Sequence, residues 1–201
     1  MHWLFRFRES SAVQWALLVV MVCGLVLAAI PVFSRIVQFA DEVEFRYLAQ
    51  AFAGSAQNVH LRAALKNENK QSDIVIVNHV GFRLSPTNNK HNGFPFALEN
   101  GAETLADMHA KDCGELLEHF TGQSYWLDNP FEAAADTMST PKIRAIVVRD
   151  KGIDAPPYCR FERPVRTGFG NNGTPDSARH VFAYYPASGR VEVLRENGEV
   201  K

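Results

Sequence analysis

Cysteine is scarce in this chain, three residues in 201, and no two of them form a Cys-x-x-Cys pair. That excludes a disulfide-dense small scaffold and a Cys-pair zinc or redox motif. A His-Glu-x-x-His helix and a Gly-x-Ser-x-Gly elbow are also missing. The one glycine-rich run, Gly168-Phe-Gly-Asn-Asn-Gly173, lacks the strand before and helix after that a phosphate loop needs. Net charge is -1, from 21 basic and 22 acidic residues, which argues against a strongly basic nucleic-acid binder. Hydrophobic residues make up 46% of the chain, too many for a disordered one. Seven histidines are present but scattered. His109 and Cys113 stand four apart, close enough to share a helix face and a metal, yet solvated or capping histidines explain the set better. No enzyme, cofactor or metal site is expected from these residues.

What the chain does have is one long apolar run. Across residues 12–33, Gln14 is the only clearly polar side chain. As a helix these 22 residues extend roughly 33 Å, enough to cross a hydrocarbon core of about 30 Å. A cleaved signal peptide is the rival reading, since Arg6 and Arg8 precede the run. Its apolar region is normally shorter, and Ala28-Ala29-Ile30-Pro31 makes a poor cleavage site. An uncleaved anchor is therefore expected, with a tail at 1–11 and the anchor at 12–33. Arg6 and Arg8, set against Asp41, Glu42 and Glu44 beyond the run, place the N-terminus in the cytoplasm. In a bacterium the rest would be periplasmic, tethered to the inner membrane by a single pass.

Beyond Pro31, apolar residues recur at Val32, Ile36, Phe39, Val43 and Tyr47, then Ala51, with Arg35, Gln38, Asp41, Glu42 and Arg46 between them. Steps of three and four mark an amphipathic helix, expected over 34–66 with a weak point at Gly54-Ser55. Pro31 removes an intrahelical hydrogen bond and predicts a kink. The apolar face needs a cover, and the head, residues 67–201, is the nearest candidate.

In the head, strands are expected at 73–79, 142–149, 158–162 and 180–185, and a last one at 191–194. Pro186-Ala-Ser-Gly189 makes the final two a hairpin. Short connections predict antiparallel pairing. A helix is expected over 105–120 with Cys113, Leu116, Leu117 and Phe120 on one side. Residues 86–93 read as a turn-rich stretch and 169–176 as a long exposed loop. The fold class is α+β, a long N-terminal helix packed on a small antiparallel sheet. Cys113 and Cys159 would share an oxidising compartment, which favours a Cys113–Cys159 disulfide over two buried thiols.

Charge is unevenly spread. Residues 97–137 hold nine acidic side chains and one basic; residues 142–195 hold ten basic and five acidic. Either these faces neutralise one another within one domain, or they are complementary between subunits.

Three stretches resemble the pilin-like proteins of mannose-sensitive haemagglutinin (MSHA) type IV pilus biogenesis. They are the anchor with Pro31 and its amphipathic continuation, Asn92-Gly-Phe-Pro-Phe96 with Asp112-Cys113-Gly-Glu-Leu-Leu117, and Tyr158-Cys-Arg-Phe161 with the closing 181–191 hairpin. The resemblance implies a non-catalytic role in pilus assembly. Other pilin-like or assembly proteins would be the partners, met through Gln14, Val32, Ile36, Phe39, Val43 and Tyr47. The chain departs from prepilins at the processing site. Aligned on Pro31, Glu9 stands where they carry Gly, Ser10 where they carry an aromatic residue and Gln14 where they carry Glu. An unprocessed, membrane-retained protein is therefore expected. A second reading is a membrane-tethered periplasmic ligand-binding or sensor module, which a deep apolar pocket in the head would favour.

Overall fold

The computed structural model describes residues 11–66, 73–86, 93–127, 143–149, 155–164 and 179–194, without the side chains of 11–13 and 34. Arg6, Arg8, Glu9, Ser10 and the expected 169–176 loop lie outside the described residues, as does most of the turn-rich 86–93 stretch. Helix α1, Ser11–Lys66, is 56 residues long and runs on through Pro31 and Gly54. At Gly54 a side chain would meet open space, and beside it the Ser55 hydroxyl donates to the Phe120 carbonyl at 3.2 Å. The expected weak point is thus held by the head. The chain divides into two units inside α1, between Asp41 and Glu42. From Glu42 onward the helix belongs to the head. In the first unit, residues 14–33 are all exposed within the chain itself, and α1 is long and apolar enough to span a membrane.

The head carries two sheets where one was expected. The first has order β1-β2-β3, antiparallel: β1 Ile74–Val77, β2 Val80–Leu84 and β3 Pro95–Leu98. The 73–79 strand of the sequence reading is β1 plus its turn. Asn78 and His79 take φ of 50° and 67°, the left-handed pair of a tight I′-type hairpin. Strands β2 and β3 carry Phe82, Leu84 and Phe96 into the core.

The second sheet has order β4-β5-β6-β7-β8, with β4 Tyr125–Trp126, β5 Ile143–Val148, β6 Tyr158–Pro164, β7 Arg179–Tyr185 and β8 Arg190–Leu194. From β5 to β8 the pairing is antiparallel, as expected. The β4–β5 pair is parallel, which corrects the all-antiparallel expectation. The connection from Trp126 to Ile143 is long enough for the crossover that parallel pairing requires.

Helix α2 is Ala110–Thr121, starting five residues later than the sequence pattern. A 3-10 turn at Leu105–Asp107 occupies the expected first turn. The later start is set by Asp112, whose buried carboxylate accepts the backbone N–H of His109 at 2.7 Å and of Ala102 at 3.0 Å. This satisfies donors that a helix start otherwise leaves open. Gly122, at φ 69°, ends the helix with its N–H on the Glu118 carbonyl. Cys113, Leu116 and Leu117 are buried as expected.

Candidate functional site

The head covers α1 along Phe45, Ala49, Phe52, Ala56, Val59 and Ala63, all essentially inaccessible. Steps of four and three make this a heptad-like stripe that alternates large and small side chains. Phe52 sits edge-on to Tyr184 at 4.9 Å and to Phe120 at 5.1 Å, and packs on Phe161 and Phe182. The alanines let the helix backbone approach the sheet between these rings. At 3.6 residues per turn, Phe45 stands about 200° on from Val43, so the buried stripe is nearly opposite the face read from sequence. Val43 is 48% exposed and Tyr47 72%. The expectation that the head covers the Val43, Tyr47 and Ala51 face is therefore corrected: it covers the other one. Both faces carry apolar residues at helical spacing, and only the size alternation on the Phe45 face fits a sheet. Val32, Ile36 and Phe39 are exposed within the chain, and so is Gln14. Of the six interface residues read from sequence, none is taken by the head.

Several ties hold the head together, one of them to α1. A disulfide joins Cys113 of α2 to Cys159 of β6, their Cα atoms 5.6 Å apart. That bond removes Cys113 as a partner for His109 at a metal. Among the described residues no group of three His, Cys, Asp or Glu is placed to hold a metal ion. His60 stacks on Phe94 at 4.2 Å. Phe94 in turn lies against Gly189, where any Cβ would collide with the ring and where φ is 71°. The Gly93–Phe96 and Ser188-Gly189 segments thus meet around one phenyl ring. Tyr184 donates to the Pro95 carbonyl at 2.7 Å and Ser85 to the Pro186 carbonyl at 2.8 Å, bonding the two sheets together. Burial pushes the Tyr184 hydroxyl well above the usual tyrosine range.

Of the two charged stretches, some members lie among the described residues. On β6, Cys159 and Phe161 face the core while Arg160 and Glu162 point to the opposite face, joined there by Arg144 of β5 and Arg179 of β7. Glu162 is buried, and Arg160 and Arg179 each approach it to 2.9 Å, Arg144 to 3.8 Å. Three guanidinium groups share one carboxylate, the Arg160 contact running through its Nε. Sequence reading did not single out this cluster, although Arg144 between buried Ile143 and Ala145 marks the outward position. Glu115 and Glu118 of α2 flank Tyr125. Burial raises that hydroxyl above its ordinary value, and the negative charges of Glu115, Glu118 and Asp112 raise it further. A cleft between Arg83, Phe96 and Leu105 has a volume of about 220 Å³, and a shallower, more polar one between Asn100, Asp107 and Glu115 about 480 Å³. No protein-family model, curated protein or solved structure matches the chain.

Proposed function

We propose that the chain is a non-catalytic, single-pass component of MSHA-type type IV pilus biogenesis. It is held in the bacterial inner membrane with its N-terminus cytoplasmic and its pilin-like head periplasmic. One observation carries the reading: α1 has two apolar faces, and the head takes only the one at Phe45, Ala49 and Phe52. Val43 and Tyr47 are left to a partner. An apolar residue left at 72% exposure next to a membrane span is explained by a helix that docks beside it. Glu9 at the prepilin glycine position supports retention in the membrane and a role in assembly.

Affinity purification of the full chain from solubilised native membranes tests the reading. Pilin-like or pilus-assembly proteins are expected to co-purify with the wild type and to be lost with Val43→Lys/Tyr47→Lys, while the head's melting temperature is unchanged. Recovery of the chain without any pilus protein would overturn the proposal. An intact N-terminus by mass spectrometry is the matching result for processing; a chain beginning at or near Ser10 contradicts it.

A further inference from the structure

We infer that the open side of α1 packs against the same side of α1 in a second copy of this chain, the two helices parallel and crossing at Gly54. This rests on the reading of that side as a docking face and names its occupant. Tyr47, Gly54 and Leu61 follow one another at seven-residue steps, with Val43 and Leu65 four residues beyond on either side. At 3.6 residues per turn these five positions fall within about 40° of one another around the helix axis. All five are exposed, Tyr47 at 72%, Leu61 at 52% and Leu65 at 83%. All lie in the part of α1 that forms one unit with the head. A seven-residue repeat is how one helix presents a seam to another.

Glycine is a poor helix former, so one in the interior of a 56-residue helix needs a cause. Nothing inside the chain supplies it. A Cβ at Gly54 would meet no atom within 4 Å, and Gly54 is not among the glycines with positive φ. The cause lies outside the chain. On an exposed seam, a residue without a side chain lets a second backbone come close.

A helix that fits this seam is small opposite Gly54 and apolar opposite Tyr47 and Leu61, and α1 of a second copy is both. The side chains of residues 42–65 are all described, so every charge near the seam is counted. Glu44, Arg46 and Arg62 each stand about 80° off its centre. Glu44 is held by Arg163 at 2.9 Å and Arg46 by Glu42 at 2.6 Å. Identical seams therefore meet without like charges opposed. Gln50 and Gln57, exposed along one flank, carry amides that both donate and accept, so each can bond its own counterpart across a two-fold axis. Copies anchored through the same apolar segment stand at the same height, which brings Gly54 to Gly54 in a parallel pair. The head lies on the Phe45 side, nearly opposite, and leaves the approach open.

Oxidative crosslinking of the full chain, purified and reconstituted alone in lipid vesicles, tests it. Tyr47→Cys and Leu61→Cys are introduced one at a time with Cys23→Ala, which leaves the buried Cys113–Cys159 disulfide in place. Each variant is expected to crosslink to its own counterpart in a second copy. Adding Gly54→Leu is expected to weaken pairing roughly tenfold. The head's melting temperature should stay unchanged, because the new side chain starts into open space within the chain. No crosslink at either position overturns the inference. So does a crosslink formed only between position 47 and position 61, the mark of an antiparallel pair, or a Gly54→Leu chain that pairs as well as its parent. The vesicles hold no pilus protein, so pairing there bears on the second copy alone. Capture of pilus proteins from native membranes is read separately, and either result stands without the other.

Discussion

Tyr184 shows how much a single polar atom does in this head. Its ring is fully buried against Phe52 and its hydroxyl bonds the Pro95 carbonyl, so one side chain joins α1, the large sheet and the small one. Tyr184→Phe leaves that carbonyl without its donor and is expected to cost about 1–2 kcal/mol in denaturant melts at neutral pH. The alkaline behaviour follows from the raised pKa of the hydroxyl. The folded state keeps its proton at pH values where the unfolded chain, with tyrosine near 10, has released it. Stability is therefore complete below pH 10 and falls as pH rises above it. The phenylalanine variant is expected to lose part of that fall, measured by melts at pH 7 and above pH 10. The Cys113–Cys159 bond closes a 46-residue separation, worth about 4 kcal/mol by the loop-entropy relation. Replacing both cysteines with serine is expected to lower the melting temperature of the head and to abolish its redox sensitivity.

Among the elements, α1 holds the clearest contrast. Phe52→Ala removes a ring in contact with four other aromatic residues and is expected to destabilise the head by about 3–5 kcal/mol. Tyr47→Ala, on the uncovered side, is expected to stay within about 0.5 kcal/mol of the wild type. Calorimetry of the two variants side by side checks the assignment of faces. The existence of α1 was legible in its period, and so were β5 to β8 in their alternation. Which face the head covers was not, because Val43 and Tyr47 satisfy the same spacing as Phe45 and Ala49. The choice comes from fit against a sheet that is assembled from distant strands. Strands β2 and β3 were hidden because the turn before β2 uses Asn78-His79 where glycine is the usual signal. The β3 strand starts at Pro95, a residue that propensity keeps out of strands. Helix α2 begins late because Asp112 caps it through contacts to Ala102 and His109, a tertiary arrangement that periodicity does not encode. The disulfide was legible from cysteine count and the oxidising compartment expected from the anchor. The arginine cluster became visible only when register brought β5, β6 and β7 side by side.

At the scale of the whole molecule, an apolar helix is continued by a segment that the head claims on one side only. The net charge of -1 conceals an acidic stretch at 97–137 and a basic one at 142–195. We propose that the open side of α1, at Tyr47, belongs to a neighbouring pilus component. A photo-crosslinking residue in place of Tyr47, activated in native membranes and followed by mass spectrometry of the adducts, tests this most directly. The account predicts adducts with a pilin-like or pilus-assembly protein from Tyr47 and none from the buried Ala49 position. Absence of any protein adduct at Tyr47, with the chain present in the membrane, would contradict it.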